Sequence, residues 1–220
     1  QMFATKAIQK KLDSGLKKGV IWHTQGSGKT ALAYYNVHVL TDYFQKKSIV
    51  PKFYFIVDRI DLMNQASKEF TSRGLSVHTV STKDELVQDF KKNTATHGNS
   101  GRREITVINI QKFNEDATVL DEDVYDTTIQ RIYFLDEVHR GHKDSGYFHV
   151  NLINSDRNAI FIGLTGTPLL HKDSKTTSVL GGYIHTYYYN SSIADGYTLR
   201  LIREGIETKY KMQLTNTLND

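Results

Sequence analysis

Six short runs rich in β-branched and aromatic residues recur along the chain: GVIW, KFYFIVD, LSVHTV, EITVINI, RIYFLD and NAIFIGL. Most are apolar nearly throughout. Such runs suit strands covered on both faces, because a strand with one wet face alternates polar and apolar residues. Helical spacing fills several of the gaps: MFATKAIQKKLDSG from Met2 to Gly15, Thr30 to Phe44, RIDLMNQASKEFTSRG closing at Gly74, and TKDELVQDFKKN. Strands alternating with helices in this way predict an α/β fold, a mostly parallel sheet with helices on both faces.

A chain of 220 residues can build one large domain or two small ones. No apolar run approaches the ~20 residues of a membrane-spanning helix. The absence of cysteine excludes disulfides, a thiol nucleophile and a cysteine metal site, and it fits a reducing compartment. A formal charge of +4 permits an anionic partner without demanding one. The segment KKNTATHGNSGRR, Lys91 to Arg103, is polar, basic and rich in turn formers, and it reads as a mobile loop. Near Tyr187 the pattern changes to a short helix, a turn and one or two exposed strands. That change divides the expected organisation into a first domain over 1–186 and the start of a crossing toward a second over 187–220. An opening at Gln1 without a start methionine and a close without a terminal element read as a piece of a longer protein.

The first strand runs into HTQGSGKT, His23 to Thr30, and then into a helix. Gly26 and Gly28 let the backbone curl so that successive N–H groups, with those of Thr24 and Ser27, face inward at a helix N-terminus, an anion nest. Lys29 can reach the β- and γ-phosphates of a nucleotide, and the Thr30 hydroxyl can ligate Mg²⁺. The general pattern G-x-x-x-x-G-K-[ST] has glycine where this chain has His23, but the inner G-x-G-K-T carries most of the cradle. A second acidic feature, Asp136 and Glu137, ends the strand RIYFLD. On a strand neighbouring the cradle, Asp136 would hold the metal and Glu137 would polarise the attacking water.

With both motifs in hand the chain resembles a superfamily-two helicase or translocase motor. That resemblance implies a RecA-like P-loop NTPase fold, with ATP and Mg²⁺ as cofactors. GLTGTP, Gly163 to Pro168, stands where the superfamily carries the motif that couples ATP state to nucleic acid, through Thr165 and Thr167. His139 and Arg140, after the acidic pair, could join that coupling. Together GVIWHTQGSGKT, FIVDRIDLMNQ, VINIQKF, LDEVHRGH, GLTGTPL and IADGYTL are similar to the restriction subunit of type I restriction–modification enzymes, in order over nearly the whole chain.

The narrower resemblance implies a cytoplasmic prokaryotic enzyme whose parent translocates double-stranded DNA and cleaves it. It also implies methyltransferase and specificity subunits as partners, and nuclease and second motor domains elsewhere in the parent. In that family a glutamine upstream of the cradle contacts adenine, and Gln1 stands at that place. Loops after the strands grip DNA, which here would use Arg59, Gln111 and Lys112 on phosphates. Other readings stay open: another helicase or translocase of the same superfamily, such as a type III restriction subunit or a repair helicase; a nucleotide-dependent switch module; and a small-molecule kinase.

Overall fold

The computed structural model describes residues 1–92, 94–98, 101–110, 128–137, 150–167 and 180–199. In chain order the elements are α1 (Met2–Asp13), β1 (Lys18–His23), α2 (Lys29–Gln45), β2 (Val50–Val57), α3 (Ile60–Ser72), β3 (Ser76–Val80), α4 (Lys83–Lys91), β4 (Glu104–Asn109), β5 (Ile129–Leu135), β6 (Ile160–Thr165), β7 (Tyr183–Tyr187) and α5 (Tyr189–Ala194). Seven strands form one sheet in the order β3-β4-β2-β5-β6-β1-β7, and every pairing is parallel. The expected α/β architecture is therefore observed.

The apolar runs explain the two-sided burial. Along β2, Phe53, Phe55 and Val57 pack with α1, α2 and α3, while Tyr54 and Ile56 face the opposite layer with α4 and the helical residues 150–155. β5 divides in the same way, Ile132 and Phe134 on the first face and Tyr133 and Leu135 on the second. Because successive side chains in a strand point to opposite faces, a run apolar at every position is what a doubly covered sheet requires.

The second layer also buries two ion pairs. Lys52 meets Asp89 at 3.0 Å, and Arg131 grips Asp156 at 2.5 Å. Tyr54 and Tyr133, stacked with centroids 4.8 Å apart, donate their hydroxyls to these carboxylates, Tyr54 to Asp89 and Tyr133 to Asp156. Each buried acid thus has both a cation and a hydroxyl, the condition under which burying a charge is tolerable.

Two departures from the sequence reading matter. β7 is a seventh strand lying beside β1, in a stretch the apolar runs do not mark. The segment 91–103 is pinned where it is described: His97 bridges Asp89 and Glu104, and Arg103 pairs with Asp42 at 2.9 Å.

Candidate active site

Since all seven strands run the same way, their carboxyl ends open on one edge, where ligands bind in open parallel sheets. β1 ends at His23, and the chain turns through Thr24 to Gly28 into α2. Gly26 at φ 78° and Gly28 at φ 80° occupy the left-handed region, which a side chain at either position would strain. Ser27 closes the turn, its backbone N–H 3.1 Å from the Thr24 carbonyl and its hydroxyl donating to the same oxygen. Gly28 caps α2 and no side chain caps the first N–H groups, so the helix start presents donors to an anion. Lys29 and Thr30 are the first two residues of that helix.

Gln1 lies over this turn. Its side-chain amide donates to the carbonyls of Ser27 at 2.8 Å and Gly28 at 3.2 Å.

The acid pair follows β5. The Asp136 N–H continues the ladder to Ile56 at 2.9 Å, and its side chain turns inward. Oδ1 of Asp136 is buried with no hydrogen-bond partner among the described residues. Burial, reinforced by Glu137 and opposed by Lys29, pushes its carboxyl up to about 6. Glu137 stands at φ 49°, unusual for a residue with a side chain. Its Oε1 lies 3.4 Å from Lys29 Nζ, both side chains largely enclosed. The positively charged end of the cradle and the second acid therefore already meet.

β6 lies between β1 and β5, so the cradle and the acids sit on next-but-one strands rather than the neighbouring strands expected. Chain order conceals this, because β6 comes last of the three and inserts between the others. The turn after β6 fills the gap. Thr165, fully buried, accepts from the Thr167 N–H at 3.3 Å and donates to the Thr167 carbonyl at 2.9 Å. A methyl on Gly166 would stand 3.3 Å from Lys29 Nζ and 3.6 Å from the Gln25 nitrogen, so this turn rests against the cradle.

Arg59 is exposed at the same edge, as N-cap of α3 after β2. Gln111, Lys112, His139 and Arg140 lie outside the described residues. Two site residues escaped the sequence reading. Asp58, at the end of β2, has a buried Oδ1 with no partner among the described residues, and its charge also raises Asp136. The run FIVD ends in an acid just as RIYFLD does, and that parallel was the available signal. His185 on β7 faces His23, Nε2 to Nδ1 at 2.9 Å, and no local pattern announces it.

A donor-lined turn with a lysine, opposed by a half-buried acid pair, can take a polyphosphate with a divalent cation. The oxygens of Asp136, Asp58 and Thr24 that find no partner among the described residues suit such a cation, since buried oxygens otherwise find donors. Fold and site together define a RecA-like P-loop nucleotide-binding domain. The sequence profile of the SWI2/SNF2 ATPases matches residues 1–220, and the chain belongs to that family.

The resemblance to type I restriction subunits is borne out as well. A type I restriction enzyme endonuclease subunit of Staphylococcus saprophyticus is 29% identical over 231 aligned residues, covering all of this chain and 23% of that protein. The chain thus spans under a quarter of that relative's length. Among solved structures, a nuclease-deletion mutant of the type ISP restriction–modification enzyme LlaGI, in complex with a DNA substrate mimic, superposes at TM-score 0.62 with 14% identity, over 89% of this chain and 20% of that one. The Hef helicase domain of Pyrococcus furiosus superposes at 0.56 with 17% identity, over 92% and 40%. These two likenesses show the fold. No helix among the described residues is long and apolar enough to cross a membrane.

Proposed function

We propose that this chain is the first motor domain of a type I restriction subunit, whose parent hydrolyses ATP to translocate double-stranded DNA and then cleaves it. The observation that carries this reading is the contact of Lys29 with Glu137 at 3.4 Å, beside Oδ1 of Asp136, which is buried with no partner among the described residues. A nucleotide entering the turn of Gly26, Ser27 and Gly28 offers Lys29 a stronger partner, the β- and γ-phosphate oxygens, at a helix start with no side-chain cap. Glu137, released from the lysine, orients and polarises the attacking water. Thr30 and Asp136 would hold Mg²⁺, which neutralises phosphate charge when bound. Gln1 and Thr24 complete the nucleotide contacts.

Coupling to DNA would run through Thr165, Thr167, His139 and Arg140, with Arg59, Gln111 and Lys112 on backbone phosphates. Such contacts add affinity that falls with salt and reads no sequence. The domain would span 1–186, with 187–220 leading to a second motor domain. Methyltransferase and specificity subunits would supply site recognition, in the cytoplasm of a prokaryote.

The deciding experiment is ATP hydrolysis by the full-length parent with its partner subunits. It compares no nucleic acid, single strands or RNA, and long duplex with and without the complex's own site. Strong stimulation only by unmethylated, site-bearing duplex is expected. Stimulation by single strands or RNA would assign the chain to a different helicase, and no stimulation would favour a switch or kinase.

A further inference from the structure

At the sheet edge opposite β7, His78 on β3, Asp89 on α4 and His97 in the α4–β4 connection converge, each offering one ligand atom within 4.8 Å of the others. We propose that these three residues form a binding site for a borderline divalent transition metal, zinc above all, which fastens the α4–β4 connection to the edge of the sheet. Two imidazoles and one carboxylate are the donor set such ions select, and not one that suits Mg²⁺ or Ca²⁺.

The supporting shell argues for a built site. Glu104 accepts from the backbone N–H of His97 at 3.1 Å, and its other oxygen meets Nδ1 of the same ring. That fixes the ring and leaves Nε2 directed at Asp89, the carboxylate–histidine arrangement that orients metal ligands. Asp89, 1% exposed, is itself held: Tyr54 donates to Oδ2 at 2.8 Å and Lys52 to Oδ1 at 3.0 Å.

Two features set the limits of the site. The rings of His78 and His97 are stacked, centroids 3.5 Å apart and 16° from parallel. Tetrahedral coordination at ~2.0–2.1 Å needs both lone pairs aimed at one point, so the His78 ring must turn out of the stack. Lys52 beside the same carboxylate opposes a second cation, and three protein ligands leave a position for water. The site is therefore weaker than a closed four-ligand zinc site.

The test uses the full-length protein stripped with chelator, then titrated with Zn²⁺ against a chromophoric chelator and with Co²⁺ followed by its visible absorption, both in excess Mg²⁺. Wild type is expected to bind one equivalent more than His78→Ala or His97→Ala. Glu104→Gln should keep that equivalent but weaken it by about 10–100-fold, as losing a ligand's orienting partner does. Equal stoichiometry and affinity in wild type and both histidine variants would overturn the assignment. Should the variants fail to fold, wild type alone decides. Zn²⁺ should slow tryptic cleavage at Lys91, Lys92, Arg102 and Arg103 several-fold, and unchanged cleavage at saturating Zn²⁺ refutes the site.

Discussion

Acid should loosen this domain through one imidazole beside the cradle. His23, 4% exposed at the end of β1, shares a hydrogen bond with His185 on β7. Burial first, then His185 and Lys29, push its imidazole down to about 4 from an ordinary 6.5. A histidine lowered in this way is neutral in the fold and protonated in the unfolded chain between those values. The unfolded state then binds more protons, so stability rises with pH. The contribution is fully present above 6.5 and is lost as pH falls toward 4. Between pH 8 and pH 5 the linkage relation gives a loss of about 2 kcal/mol, reduced to about 1 if water reaches the strand end. Against a total of ~5–15 kcal/mol for a domain, that is measurable. Urea unfolding of wild type and His23→Gln at pH 8, 7, 6 and 5 tests it. The glutamine amide can still bond His185 but takes no proton, so the variant should lose about 1–2 kcal/mol less across that range. Equal losses in both proteins would refute the assignment of this acid sensitivity to His23.

Four further outcomes follow from the site and the core. Lys29→Ala should abolish ATP hydrolysis in the full-length protein with its fold intact by circular dichroism, and a wild-type rate would remove the cradle from the chemistry. Glu137→Gln should retain ATP binding by nucleotide titration while turnover falls by about 10²-fold or more, the scale of a positioned base; equal loss of both would leave Glu137 a structural role. Arg59→Ala should raise the DNA concentration for half-maximal ATPase and lower the salt slope by about one phosphate contact, and an unchanged slope would place Arg59 off the DNA path. Asp156→Ala deprives the buried Arg131 of its carboxylate and should cost about 3–5 kcal/mol in urea unfolding, whereas a loss under ~1 kcal/mol would mean that the pair adds little.

What the sequence disclosed follows from the range of the forces involved. The cradle was legible because two left-handed glycines at fixed spacing, a lysine and a helix start are all local. The sheet was legible because doubly covered strands must be apolar at nearly every position. β7 was not, since an edge strand covered on fewer sides carries Tyr183, His185 and Tyr187 at half-buried or exposed positions and shows no apolar run. The His23–His185 bond joins residues far apart in the chain, and His78, Asp89 and His97, though closer in sequence, sit on a strand, a helix and a connection, so no periodicity marks either group. The basic loop was read from composition alone. Its polar residues do prefer water, but His97 finds two carboxylates that only the fold brings within reach.

The insertion of β6 between β1 and β5 has the most consequence for a motor. Had the strands followed chain order, β2, β3 and β4 would stand between β1 and β5, too far apart for the acids to reach the cradle. As built, three loops meet at one ammonium: Lys29 belongs to the cradle, touches Glu137 after β5, and stands against Gly166 after β6. The absence of a side chain at Gly166 lets the β6 turn come this close, while paired hydrogen bonds tie Thr165 to Thr167 across it. Under the proposed function, a nucleotide that draws Lys29 away from Glu137 would alter the packing against the β6 turn in the same movement. Phosphate occupancy would then be sensed where the three loops touch, with the buried Thr165 as the link back into the sheet.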